Sequence, residues 1–303
     1  MVAPVKIAVT GGTGFVGSRL IEALVEAGHD ISALTRRPKD GRRSVQWVAG
    51  SLEDQPALAR LADGADALIH VAGVLKADQA GFEASNVRGT AAIVAAARAA
   101  KVPRFVQVSS LAAREPELSL YGGSKARSEA LVRESGLDFA IVRPPAVYGP
   151  GDKETLELFR MARRGLILLP PEGRLSLIHA DDLARLLVAL AGAEAPPALT
   201  EPDDGTEGGW THRQLAVALG EAVGRSALAL SMPRAAVRFG ALLDGLIRRD
   251  RAKLTADRAA YFCHPDWVAD PALAPPANLW TPAINTREGL RATAEWYRTN
   301  HLL

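Results

Sequence analysis

The sequence of 303 residues predicts an α/β fold: a doubly wound parallel sheet followed by a smaller, mostly helical region. Three observations point there. Short apolar runs alternate with alanine- and leucine-rich helical stretches through the first half, as a parallel sheet covered on both faces requires. A glycine-rich turn, Thr10-Gly11-Gly12-Thr13-Gly14-Phe15-Val16-Gly17, separates the first apolar run from the first helical segment. After Pro150 the alternation loosens, and proline and glycine divide the chain into shorter pieces.

Taken in order, residues 5–9, 31–34, 45–48, 67–71, 105–109 and 139–142 are short apolar runs bounded by turn formers and read as strands. Residues 18–27, 90–100 and 124–134 carry helix-forming residues at helical spacing between them. Beyond Pro150 the pattern predicts a helix over 154–164, a short strand near 175–179 and a helix over 181–190. Residues 195–209 read as an exposed loop. Helices are expected over 211–223 and 233–248, then an irregular proline-rich passage over 265–282 and a last helix over 286–298. This divides the chain into a dinucleotide-binding Rossmann domain, 1–150, and a substrate-binding region, 151–303, with 174–191 packing back on the first. The apolar face of 235–243 is read as core.

Composition narrows the function. Hydrophobic residues make up 48% and charged residues 23%, an ordinary globular balance. A net charge of +2 offers no case for a nucleic acid or an acidic membrane surface. Cys263 is the single cysteine, so an internal disulfide is excluded, and six dispersed histidines form no metal-ligand pattern. With no uncharged run long enough to span a bilayer and no leader expected before the first strand, the reading is a cytoplasmic protein with a small-molecule substrate. It would be a monomer, or a homodimer through 90–100 and 124–134.

The glycine turn carries the first chemistry. Between a strand and a helix, Gly11 permits a tight turn, Gly14 lets phosphate approach the backbone, and Gly17 permits close helix packing. The helix start then presents unpaired N–H groups to an anion. Thr13, Phe15 and Val16 complete the candidate cradle. A carboxylate at the end of the second strand would select NAD. Here the run ends in Thr35-Arg36-Arg37, and a guanidinium fork suits a phosphate. The expected cofactor is therefore NADP, held first by Arg36 and then Arg37, with NAD the alternative. Tyr121 and Lys125 are four apart at the start of a predicted helix and share a face. A phenol of pKa about 10 needs help at neutral pH, and a neighbouring ammonium favours phenolate. Ser109 and Ser110 end the preceding strand, where a hydroxyl can reach a substrate oxygen.

With these stand His70-Val71-Ala72-Gly73, Asn86-Val87-Arg88-Gly89-Thr90, Arg143-Pro144-Pro145-Ala146-Val147-Tyr148-Gly149-Pro150 and Ile178-His179-Ala180-Asp181-Asp182-Leu183. In this order, over most of the first 190 residues, the chain resembles the extended, epimerase-like branch of the short-chain dehydrogenase/reductase superfamily. The resemblance implies Tyr121 as general acid/base, with Lys125 binding the nicotinamide ribose and lowering the tyrosine pKa. It implies Ser110, rather than Ser109, as the group that polarises the substrate oxygen. Ala72 and Gly73 would line the adenosine side, and the backbone of Pro144 and Val147 would meet the nicotinamide carboxamide. Asn86 would support the site from its helix. His70 and His179 are read as structural with no partner in reach, and Asp181 as a helix cap.

Three departures from that pattern matter. Only ten residues separate Ser110 from Tyr121, which shortens the loop over the substrate. Ser51 stands where relatives often place an aspartate against adenine, and Ser51 and Leu52 are the candidate cofactor contacts there. Arg174 is out of register with the arginine that relatives use for a nucleotide diphosphate. The tail, Lys253-Leu254-Thr255-Ala256-Asp257 and Glu288-Gly289-Leu290-Arg291, looks like the branch that includes 3β-hydroxysteroid and dihydroflavonol reductases. The expected function is hydride transfer between a nicotinamide and a small or apolar carbonyl or alcohol. The alternatives are a nucleotide-sugar epimerase or dehydratase with tightly bound NAD, and a non-catalytic NADP-binding sensor or accessory subunit.

Overall fold

The computed structural model describes residues 5–37, 39–40, 44–248 and 254–303, so Lys253 of the tail pattern lies outside the described residues. The first half runs β1 (Lys6–Thr10), α1 (Phe15–Glu26), β2 (Asp30–Thr35), β3 (Val45–Ala49), α2 (Gln55–Ala62) and β4 (Ala67–His70). It continues with α3 (Gln79–Phe82), a π turn (Glu83–Arg88), α4 (Gly89–Ala99), β5 (Arg104–Val108), α5 (Leu120–Arg133), β6 (Phe139–Val142) and β7 (Ala146–Tyr148). Then come α6 (Leu156–Arg164), β8 (Leu166–Leu169), β9 (Arg174–Leu175), β10 (Leu177–His179), α7 (Ala180–Gly192), β11 (Leu199–Thr200), β12 (Trp210–Thr211) and α8 (His212–Val223). The chain closes with β13 (Leu228–Ser231), α9 (Arg234–Arg248), α10 (Ala256–Phe262), β14 (Asp266–Trp267) and α11 (Thr286–Thr299).

Seven strands form the main sheet in the order β11-β6-β5-β4-β1-β2-β3. Every neighbouring pair in it is parallel. The order reverses between β1 and β4, where a doubly wound sheet opens a crevice at its carboxyl edge. One face buries Leu20, Ile21 and Leu24 of α1 beside Leu183, Leu186, Leu187 and Leu190 of α7. The other buries Leu58 and Leu61 of α2, Ile93 of α4 and Val132 of α5. These near-continuous apolar strands are legible because both faces are covered.

The later half departs from expectation in three places. The predicted loop over 195–209 contains β11, which joins the sheet edge beside β6 through Leu199↔Ile141 and Thr200↔Val142. The single strand expected near 175–179 is divided by Ser176: β9 pairs with β12 and β14, whereas β10 pairs with β7. The Ser176 hydroxyl donates to Asp203 at 2.7 Å and accepts from the Ala269 N–H, which fixes the break. Finally, the apolar face of α9 is not core. Phe239, Leu242 and Leu243 are exposed, because the helix turns only its other side, with buried Ala241, toward the body.

Candidate active site

The glycine turn is closely packed. Gly11 has φ +76°, and a Cβ there would lie 2.6 Å from the Ala72 nitrogen. The first turn and the end of β4 therefore touch, which brings Ala72 and Gly73 beside the cradle. A Cβ on Gly17 would lie 2.0 Å from the Gly11 carbonyl oxygen, so Gly17 packs α1 on the turn itself rather than on the strand. Gly14 is the N-cap of α1; no side chain caps that end, and its first turn carries no acidic residue. That is the setting an anion needs. A dinucleotide phosphate fits this uncapped helix start, and Thr13, Gly14, Phe15 and Val16 are the residues that would hold it. Phe15 also reaches the segment after β7, approaching Gly151.

Arg36 and Arg37 are exposed just past the carboxyl end of β2. The Thr35 hydroxyl folds this end back, donating to the Arg37 carbonyl at 2.7 Å. At the end of β3, the Ser51 hydroxyl accepts from the Glu53 N–H at 3.2 Å. Leu52 covers Gly89 of α4, where a Cβ would lie 2.7 Å from its Cδ1. On the opposite flank the Pro144 carbonyl accepts from the Leu111 N–H at 3.1 Å, and Val147 pairs with Ile178 in the small β7–β10 sheet. All these positions follow carboxyl ends of strands, so the candidate binding residues share one edge of the fold.

Ser110, Tyr121 and Lys125 converge on that edge. Ser119 caps α5 by accepting from the Gly122 N–H at 3.0 Å, which sets Tyr121 in the first turn. The short connection after Ser110 lies against this helix. A Cβ on Gly122 would lie 2.5 Å from the Ala112 carbonyl oxygen, and one on Gly123 would lie 2.9 Å from that of Pro116. The two glycines thus make the ten-residue connection possible. Ser110 stands beside the Tyr121 hydroxyl, close enough to favour its ionised form. The Lys125 ammonium donates to the Val108 carbonyl at 2.7 Å, under the serine-bearing strand end.

The electrostatics differ from the sequence expectation. Burial raises the Tyr121 phenol above its usual value, and the neighbouring Ser110 hydroxyl only partly offsets this. The expected lowering by Lys125 is not what governs it, since the ammonium is engaged with the strand carbonyl. Burial brings Lys125 itself down to about 8, with Glu129 one turn further opposing the shift. His70 falls to about 3 through burial, reinforced by Lys125, and is neutral. Contrary to expectation it has partners: Nδ1 lies 2.6 Å from the Thr10 hydroxyl and Nε2 3.1 Å from that of Thr90. Because Thr90 donates to the Asn86 carbonyl, His70 Nε2 donates to Thr90 and Nδ1 accepts from Thr10. The cap of α7 is likewise His179, which accepts from the Asp181 N–H, while Asp181 pairs with Arg19 at 3.5 Å.

Asn86 sits in the π turn, a feature frequent at functional sites. Its side chain binds both backbone groups of Val74 and donates to Ser124 at 2.9 Å, tying the segment after Gly73 to α5. Ser109 is turned away from Tyr121, donating to buried Glu129 at 2.6 Å. Glu129 then takes Arg143 in a fork at 2.8 and 2.7 Å. Arg143 reaches Glu201 at 3.3 Å, and Glu201 accepts from Arg114 at 3.2 Å and from the Asp270 N–H. Sequence reading missed Glu129, Glu201 and Arg114. The available signal was that Glu129 stands one helical turn beyond Lys125 on its face.

The second half contributes an aromatic wall. Tyr261 and Trp267 stack with centroids 4.6 Å apart, and both join Tyr121, Leu111 and Ala112 in one apolar cluster. Arg174 points elsewhere, donating to the Gly208 and Gly209 carbonyls at 2.5 and 3.0 Å.

A doubly wound parallel sheet with a glycine-turn cradle and a Ser-Tyr-Lys group at its carboxyl edge defines a Rossmann enzyme of nicotinamide chemistry. The chain belongs to the NAD dependent epimerase/dehydratase family, whose model matches residues 7–199. It is 38% identical over 302 residues to a ceramide reductase of Caulobacter vibrioides, across 96% of this chain and 94% of that protein. It is 29% identical to a 2-alkyl-3-oxoalkanoate reductase of Stenotrophomonas maltophilia, across 94% of this chain and 97% of that one. In fold it matches the Bordetella bronchiseptica enzyme WbmH in complex with NAD+, with a TM-score of 0.75 and 20% identity over 98% of this chain and 99% of that one.

Proposed function

We propose that this chain is an NADP-preferring reductase of a long-chain 3-oxo lipid, related in substrate to the ceramide and 3-oxoalkanoate reductases it resembles. One observation carries the reading. Tyr121, beside Ser110, packs against the Tyr261–Trp267 wall, so the acid–base group faces an apolar surface. A nucleotide-sugar reading would want a cation in that region, but Arg174 is committed to backbone carbonyls. Arg36 and Arg37, exposed beyond β2 where an NAD site would carry a carboxylate, support NADP.

When bound, the nicotinamide supplies the hydride to the carbonyl carbon. Ser110 orients the substrate oxygen by a hydrogen bond, and Tyr121 donates its phenolic proton to that oxygen as it becomes an alcohol. A phenol held above its usual pKa enters the reaction protonated, as a reductase needs. Lys125 places positive charge beneath the site, where it would hold the nicotinamide ribose. Asn86 and Ser124 hold α5 in place, and Ser109 serves the buried ion network.

The test is the initial rate of NADPH and NADH oxidation with a long-chain 3-oxo amide, its short-chain analogue and UDP-glucose. Expected is turnover of the long-chain ketone, with kcat/KM at least about tenfold higher with NADPH, or about 1.4 kcal/mol. Epimerisation of UDP-glucose by protein that retains NAD through purification would overturn the proposal.

A further inference from the structure

We propose that the outward face of α9 docks on the surface of an anionic lipid bilayer. This extends the lipid-reductase reading and rests on it for its purpose, but the surface is argued from its own exposure and charge. Phe239, Leu242, Leu243, Leu246 and Ile247 are 61%, 63%, 42%, 77% and 78% exposed. With about 100° between successive residues, they form one continuous stripe along the helix. The opposite side is anchored: Ala241 is buried, and Asp244 accepts from the Leu254 N–H at 2.8 Å. The stripe therefore points outward because the helix is fixed that way.

The exposure is concentrated. Of the thirteen large apolar side chains exposed among the described residues, five lie on α9. Four more, Leu166, Leu168, Leu228 and Leu230, lie on the β8–β13 pair immediately before it, where Leu228 faces Leu166 and Leu230 faces Leu168 in register. Soluble monomers rarely show contiguous apolar patches beyond a few hundred Å² without a partner.

The chemistry of the edge selects the partner. Exposed Arg234 and Arg238 flank the stripe. An apolar stripe edged by guanidinium groups suits acyl chains below and phosphate headgroups alongside. The overall charge of +2 conceals this local arrangement. The helix has fifteen residues, so it lies in the interface rather than crossing it, and no described helix is long and apolar enough to span a membrane. Next along the chain, α10 packs on α9 and carries Tyr261 beside Tyr121. A lipid ketone would thus pass from the bilayer to the site without exposing its chains to water.

Flotation with vesicles tests this, comparing phosphatidylcholine alone with phosphatidylcholine containing phosphatidylglycerol. Expected is binding to the anionic vesicles at least about tenfold stronger than to neutral ones, weakening as salt rises. The Leu242→Glu, Leu246→Glu double variant should lose it while keeping its melting temperature and NADPH affinity. Failure of the wild type to float, equal binding by the variant, or indifference to phosphatidylglycerol would overturn the proposal. So would a wild-type dimer that the double variant converts to a monomer, which would assign the face to a second copy. Vesicle binding without ketone turnover would sink the substrate reading and leave the docking surface standing.

Discussion

Up to β6, neighbouring strands of the main sheet pair in parallel over four or five residues each, and apart from the edge strand β3 their side chains are largely buried on both faces. Beyond β6 the strands are two to four residues long, and apart from β11 they form three small sheets, with leucines left facing water. The first region is completed by the second through α7 on one face and β11 at its edge. The second has its own core around Phe159, Ile167, Leu219, Leu290 and Tyr297, and single side chains fix its irregular segments: Ser176 at a strand break, Arg174 on a loop, Asp182 accepting from the Ala283 and Ile284 N–H groups. The candidate residues Ser110, Tyr121 and Lys125 stand on the first region, and the Tyr261–Trp267 wall beside Tyr121 comes from the second. One buried chain, Glu129–Arg143–Glu201–Arg114, joins α5 to residues 268–270.

The comparison breaks most sharply at Tyr121. Tyr121→Phe should lower kcat by about a thousandfold, or about 4 kcal/mol, while melting temperature stays put. A loss smaller than tenfold would mean that the frame carries its chemistry elsewhere. Next comes the seam between regions. Glu201→Gln removes a fully buried charge from between two arginines, and should cost about 3 kcal/mol in urea unfolding. A second, earlier transition would show the later region separating first, whereas an unchanged midpoint would show the seam held by packing alone.

The smallest effect concerns pH. Lys125 is lowered from 10.5 to about 8, so its charge is complete at lower pH and is lost as pH rises through that value. The kcat/KM profile should therefore bend down near pH 8, where the raised Tyr121 phenol is still protonated. His70, held at about 3, adds no break near neutrality. Glu129→Gln removes the anion that supports the ammonium and should move the bend to lower pH. A bend that stays in place would uncouple Glu129 from the site.

How much of this was legible beforehand follows the same division. The β1–α1 turn, the strands of the first half and Tyr121 with Lys125 could be read because their signals are local: glycine spacing, apolar runs and a shared helix face. The split at Ser176 could not, since it depends on Asp203 and Ala269, far along the chain. β11 has only two residues and becomes a strand by lying beside β6. Glu129 looks like an ordinary helical charge until Ser109 and Arg143 close around it. The α9 stripe was visible as apolar, but amphipathicity alone does not say whether a face meets the core or something outside the protein.

The crowding at the first turn has a consequence for redesign. The space a side chain would take at Gly17 is filled by the Gly11 carbonyl, and the space at Gly11 by the backbone of Ala72. Neither position can be used to tune nucleotide preference without rebuilding the strand ends. Arg36 and Arg37 are exposed and outside the strand, so that edge can be rewritten while the cradle is inherited whole. Where a protein is most crowded it keeps its ancestry, and where it is open it keeps its options.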